Sequence, residues 1–170
     1  MWRYSRGNRV PAQITTPEPI RDFTAAAFYA TLAESVNGKL YSLAGGYDSR
    51  YAGTNTHSGS TTEVTSNWVS AGVAFPIKKM EGNNHTIHII DANNNLFGCG
   101  SNTMGNIGNG VEYTPMRNGA GVVRPFEIDI AQNSAMLVAP TQIQGKVKDI
   151  FTSQTITFYK YVIDMGGNLS

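Results

Sequence analysis

Short apolar runs alternate with turn-forming residues along this chain, and they do so in the same order three times. The first segment, Ile20 to Gly46, has an apolar start, then Thr31-Leu32-Ala33, then Asn37-Gly38-Lys39-Leu40-Tyr41 and glycines. The second, Ile77 to Gly110, repeats the plan with Ile77 and Met80, His85-Thr86-Ile87-His88-Ile89-Ile90, Asn93-Asn94-Asn95-Leu96-Phe97 and a glycine loop. The third starts at Val147 and Ile150, continues through Tyr159-Lys160-Tyr161-Val162-Ile163, and reaches Gly166-Gly167-Asn168-Leu169. β-Branched and aromatic residues in runs of about five, broken by Asn and Gly, predict strand, tight two-residue turn, strand in each copy. Asn37-Gly38 is the strongest short hairpin signal among them.

Leu40, Leu96 and Leu169 hold the same place in each copy and lie 56 and 73 residues apart. The second interval is longer by 17 residues, which places an insertion between Val111 and Ala139. Pro11-Ala12-Gln13-Ile14 precedes the first copy as Pro140-Thr141-Gln142-Ile143 precedes the third. The chain thus reads as one region, 1–170, with copies near 11–75, 76–139 and 140–170. Two stretches compete with this reading. Phe23 to Val36 is alanine-rich and would suit a helix alone, but its counterparts Thr86–Ile90 and Tyr159–Ile163 are β-rich, so strands are expected. Asp129 to Val138 fits a short helix or a strand equally.

The loop from Gly100 to Gly110 carries the sharpest motif. Its glycines and asparagines reach the left-handed backbone region at low steric cost. Asn94-Asn95-Leu96-Phe97 leads into Gly100, Asn102, Gly105, Ile107, Gly108 and Gly110. This pattern resembles the repeats of the regulator-of-chromosome-condensation family, in which a strand, an Asp-Gly-type turn and a strand ending in an aromatic and glycine run into G-x-N-x-x-G-x-L-G-x-G. The first copy only sketches that loop, with Gly45-Gly46-Tyr47-Asp48 and Gly53, and the third reaches Ser170 before it. The resemblance implies an all-β fold: a partial β-propeller of roughly two and a half four-stranded antiparallel blades. Family rings have about seven blades. Open sheet edges and half-covered blade faces then call for a longer protein, for other chains or copies that complete the ring, or for drift into a small sandwich.

Composition and chemistry narrow the function. Charged residues make up 15% of the chain and the net charge is +1, which leaves no electrostatic case for nucleic acid or an anionic membrane. No apolar run is long enough to span a bilayer as a helix, and MWRYSRGNRV has no hydrophobic segment of a signal peptide. Cys99 is the one cysteine, which rules out an internal disulfide and reads as a small core residue. His57 reads as a loop histidine. His85 and His88 are three apart in a strand, so they face opposite sides and share no metal. Asp48, Asp91 and Asp164 fall at strand ends, where aspartate caps turns. The glycine loop lacks the dinucleotide and phosphate fingerprints. The sequons at Asn84 and Asn168 lie in or near strands and are discounted. Lys78-Lys79 and Lys146/Lys148 read as solvated lysines that guard sheet edges. No catalytic, cofactor or metal residue is assigned.

Function is then expected in loops. The insertion carries Tyr113, Met116, Arg117, Arg124 and Phe126, a mix suited to a protein interface. The leading expectation is a non-enzymatic structural or protein-binding module of a larger assembly, self-associating or bound to other chains. Its weakly charged, Asn/Gly/Thr-rich composition suits a virion or phage tail component, and a virion or extracellular setting over a nuclear one. The alternative, which the resemblance implies, is a nucleotide-exchange regulator of a small GTPase; a nucleotide-release assay separates the two. A disguised hydrolase is the third reading.

Overall fold

The computed structural model describes residues 2–3, 12–26, 30–43, 52–53, 60–83, 86–101, 107–108, 137–152 and 160–170. Its elements in order are β1 (Trp2–Arg3), β2 (Ala12–Gln13), β3 (Ile20–Ala26), β4 (Ala30–Ser35), β5 (Leu40–Leu43), β6 (Thr62–Glu63), α1 (Thr65–Ser70), β7 (Lys79–Gly82), β8 (Thr86–Ile90), β9 (Leu96–Ser101), β10 (Leu137–Gln144), β11 (Val147–Thr152) and β12 (Lys160–Asp164). Every pairing is antiparallel. β3-β4-β5-β6 and β7-β8-β9-β10 are four-stranded sheets of identical order, and β11-β12 and β1-β2 are two-stranded. β3 packs beside β7 and β7 beside β11. The first strand of each blade is therefore the inner one, and the fold is a partial β-propeller. The described parts of the alanine-rich stretch are strand as far as Ala26 and from Ala30 to Ser35, as the repeat requires: Phe23 pairs with Ala33 and Thr24 with Leu32. Of the ambiguous stretch 129–138, Leu137 and Val138 begin β10; the rest lies outside the described residues.

The three leucines fall in register. Leu40 pairs with Glu34, Leu96 with Ile90, and Leu169 bridges Ile163. The turns between are three-residue loops, not the expected two-residue ones. The Ser35, Asp91 and Asp164 N–H groups donate to the carbonyls of Lys39, Asn95 and Asn168, at 2.8, 3.0 and 3.0 Å. Each turn has a single left-handed residue: Gly38 (φ 79°), Asn94 (φ 64°) or Gly167 (φ 86°). A two-residue type I′ turn needs two such residues, whereas a type I turn closed by a bulge needs one. The first residue of each turn also accepts from the last: Lys39 N–H reaches Ser35 Oγ at 3.1 Å, Asn95 N–H reaches Asp91 Oδ1 at 2.8 Å and Asn168 N–H reaches Asp164 Oδ1 at 2.9 Å. The capping roles expected of Asp91 and Asp164 are present; Asp48 lies outside the described residues.

The two blades differ in their connections. Eighteen residues separate β5 from β6 and 35 separate β9 from β10, whereas 15 separate β6 from β7 and two separate β10 from β11. Extra length in the second blade thus lies between its third and fourth strands. The longer link between blades holds α1, which buries Trp68; its indole N–H donates to the Ala52 carbonyl at 3.2 Å. Pro140-Thr141-Gln142-Ile143 lies in β10, the outer strand of the second blade.

Candidate functional site

Strand alternation gives the second blade two unlike faces. Met80, Ile87, Ile89, Phe97 and Cys99 point to the first blade and join Leu32, Leu40, Val64 and Trp68 in one buried apolar cluster. Burial pushes the Cys99 thiol pKa well above its ordinary range. On the same seam Gly82 sits so close to β3 that an added Cβ would lie 2.2 Å from the Ala25 carbonyl oxygen. At one side, buried Glu34 accepts from Arg21 and from the Ile77 N–H, while Arg21 also donates to the Ile77 carbonyl at 3.0 Å. That cluster clips the first blade to the link that follows it.

The opposite face carries Lys79, Glu81, His88, Ile90, Leu96 and Gly98, aligned by the registers Lys79–Ile90–Leu96 and Glu81–His88–Gly98. It meets β11 and β12. Ile90 and Leu96 pack with Val147 and Ile150. The remainder of the seam is polar. Lys79 Nζ lies 2.6 Å from Asp149 Oδ1, 3.3 Å from Glu81 Oε1 and 4.3 Å from the centre of the Phe151 ring. Thr152 Oγ1 donates to the Gly82 carbonyl at 3.1 Å. Burial opposes ionisation of Asp149, but hydrogen bonds from Lys79 and the Ile150 N–H outweigh it and hold the carboxyl below its usual value. Lys79 is therefore an ion-paired residue of an inner strand, and the expectation of a solvated edge guard fails for it. A strand lysine reads the same from sequence in both cases; only the neighbouring blade decides.

His88 is at the centre. Its Nε2 lies 3.2 Å from the Ile107 carbonyl oxygen and 3.2 Å from Lys160 Nζ. The side chain is buried against Gly98, where an added Cβ would sit 3.0 Å from the ring and 2.8 Å from Ile143 Cδ1. Burial, and then the Lys160 charge, lower the His88 pKa to about 3. Burial alone lowers that of Lys160 to about 7. A neutral imidazole has one N–H. With Lys160 protonated, Nε2 accepts from the ammonium and the proton sits on Nδ1, which has no partner among the described residues. With Lys160 neutral, Nε2–H can donate to the Ile107 carbonyl. Only the tautomer with its proton on Nε2 can therefore donate to the Ile107 carbonyl, and only the tautomer with a free Nε2 can accept from Lys160.

The structural-motif residues divide accordingly. Gly100 (φ 112°) pairs with Thr86 on one side and Val138 on the other, Ile107 is buried with its carbonyl on His88, and Gly108 (φ 80°) approaches Ile143. Asn102, Gly105 and Gly110, and all five insertion residues, Tyr113, Met116, Arg117, Arg124 and Phe126, lie outside the described residues. So do His57 and His85. Lys160 and Glu81 carried no signal as site residues; their alternation marks a strand but not the blade it meets. Among the described residues no group of three His, Cys, Asp or Glu could hold a metal, and no helix is long and apolar enough to cross a membrane.

No protein-family model matches the chain, and no curated protein matches it in sequence. Solved structures do. Human WBSCR16 is similar over 95% of this chain and 35% of its own, with a TM-score of 0.61 and 16% identity. Prp20p from Saccharomyces cerevisiae, described with its binding to Gsp1p and histones, is similar over 88% and 32%, with a TM-score of 0.56 and 14% identity. Yeast RCC1 (Prp20) bound to Kap60 gives a TM-score of 0.51 at 14% identity, over 88% and 31%. These are propellers of the regulator-of-chromosome-condensation type, and this chain has that fold. It spans about a third of their length.

Proposed function

We propose that the chain is a protein-binding propeller segment whose blades hold loops for a protein partner, with no chemistry of its own on a small-molecule substrate. The likeness to Prp20p, which binds Gsp1p and histones and is also seen bound to Kap60, carries this reading. Within it, regulation of nucleotide exchange on a small GTPase is better supported than a virion or phage tail role. The fold likeness favours it, and nothing in the blades or seams favours a tail component. The long connection between β9 and β10 is the part free to specialise for such a partner. The test is a fluorescent-nucleotide release assay with a panel of small GTPases, run beside pull-down on purified GTPases and histones. Accelerated release supports exchange; binding without acceleration leaves a docking module. Absence of binding to both classes would reject the reading.

A further inference from the structure

Lys160 breaks the pattern of the seams. It opens β12 and pairs with Thr152, as Ile87 in the second blade pairs with Gly82. At that place Ile87 joins the apolar cluster between blades, whereas Lys160 brings an amine to the second blade and sets it 3.2 Å from His88 Nε2. No carboxylate pairs with that amine among the described residues. Lys79 takes both acids of the seam, Asp149 at 2.6 Å and Glu81 at 3.3 Å, and the second Glu81 oxygen accepts from Thr152 Oγ1 at 3.4 Å. Asp164, at the far end of β12, accepts from Asn168. Across the imidazole, His88 Nδ1 is buried without a partner among the described residues, and Gly98 puts no side chain against the ring. Lys160 itself stays partly exposed, so the seam encloses its amine without sealing it off.

This geometry favours the uncharged amine. An ammonium here gives up water and gains no anion in return. The neutral amine loses less: it donates one N–H to His88 Nε2 and keeps its lone pair. A lysine desolvated in this way is a nucleophile at neutral pH, and the fall of its pKa to about 7 agrees with that setting. The surroundings also select the electrophile. A carbamate formed with carbon dioxide would bury an anion with no cation beside it. An imine formed with an aldehyde would lose the N–H that faces His88. An amide is uncharged and retains that N–H.

We propose that Lys160 is an acylation site, which takes a small acyl group from an activated donor, a thioester or an acyl phosphate, and carries it as an amide against His88. The Nζ lone pair attacks the acyl carbon and forms the N–C bond. The C–S or C–O bond to the donor breaks, and thiolate or phosphate leaves with the electron pair. The surplus amine proton passes to water or to the leaving group, and nothing is oxidised or reduced. The product removes the one unpaired charge among the described groups of this seam. The proposal does not rest on the protein-binding reading above.

The test is acetylation of the folded full chain, in one arm with acetyl phosphate and in the other with acetyl-coenzyme A, followed by peptide mass mapping over time. Exposed Lys146 and Lys148 serve as internal references. At about pH 7.5 most of an amine of pKa near 7 is neutral, against about one in a thousand at the ordinary lysine value; lower basicity offsets part of this, which leaves Lys160 about tenfold faster than the references. Its rate should level off above about pH 7 while theirs keep rising, and in about 6 M urea its advantage should vanish. Preference for Lys160 with either donor supports the proposal and names the donor class. Reaction at Lys160 no faster than at Lys146 and Lys148 with both donors would overturn it. So would a rate at Lys160 that climbs with pH as theirs do, or a preference that survives in urea and therefore owes nothing to the seam.

Discussion

The two faces of the second blade meet their neighbours by opposite means. Toward the first blade the seam is a buried apolar cluster of Ile87, Ile89, Phe97, Leu32 and Trp68. Toward the third sheet it is a row of charges and a buried imidazole, with a small apolar patch at one end. Apolar burial is roughly proportional to area and indifferent to orientation. A polar seam gains little net energy, but it penalises misalignment because each unmade hydrogen bond leaves a desolvated group. The first seam thus supplies cohesion. The second holds the two sheets in one alignment.

Cohesion should fail first when the apolar seam is damaged. Phe97→Ala removes a fully buried ring and is expected to cost about 3–5 kcal/mol in denaturant unfolding, in line with large-to-small core changes. A loss under about 1 kcal/mol would show that this seam does not hold the blades together. Gly82→Ala attacks the same seam by addition. Its Cβ meets backbone rather than a movable side chain, so the inner strands must separate, at an expected cost of about 1–3 kcal/mol. If Gly82→Ala leaves the midpoint unchanged, β3 and β7 are farther apart than described.

The polar seam is tested by pH. Folding lowers the pKa of Lys160 from 10.5 to about 7 and that of His88 from 6.5 to about 3. In both windows the unfolded chain holds more protons, so stability rises with pH from 7 to 10.5 through Lys160 and from 3 to 6.5 through His88. Lys160→Met removes the buried amine and keeps most of its length. Expected are a gain in stability at pH 7 and below, and a flat profile between pH 7 and 10. A profile as steep as the parent's would assign the pH dependence to other groups. His88→Leu copies Leu32, its counterpart in the first blade, and should flatten the acid window in the same way.

Much of this frame was legible beforehand, because it rests on local patterns. Leucines 40, 96 and 169 pair one step outside each turn, as their spacing implied. The strands at Ile20–Ala26 and Ala30–Ser35, in a stretch whose alanines suit a helix, followed from its more β-rich counterparts. The turn type did not, since Asn-Gly serves a two-residue turn and a bulged three-residue turn alike. The seams were the least legible. His88 and Lys160 are 72 residues apart, and alternation shows only that each has a face, not what that face meets. Lys79 looked like an edge guard for that reason, and it took the adjoining β11, with Asp149 and Phe151, to make it a paired residue.

The smallest effect is expected at the rim of the polar seam, where Lys79 meets Asp149 and Phe151. Both charges are about a third exposed, and such pairs are worth roughly 0.2–1 kcal/mol and are screened by salt. Asp149→Asn should therefore lower stability by no more than about 1 kcal/mol at low salt, with the difference shrinking toward zero near 1 M salt. The carboxyl is held below its ordinary pKa, so its contribution is present above pH 3.8 and fades as pH falls further. Lys79→Met keeps the stem over the Phe151 ring and deletes the charge, which separates the ion pair from the packing. If either variant cost as much as Phe97→Ala, the rim would be a source of cohesion, and the contrast between a cohesive seam and an orienting one would collapse.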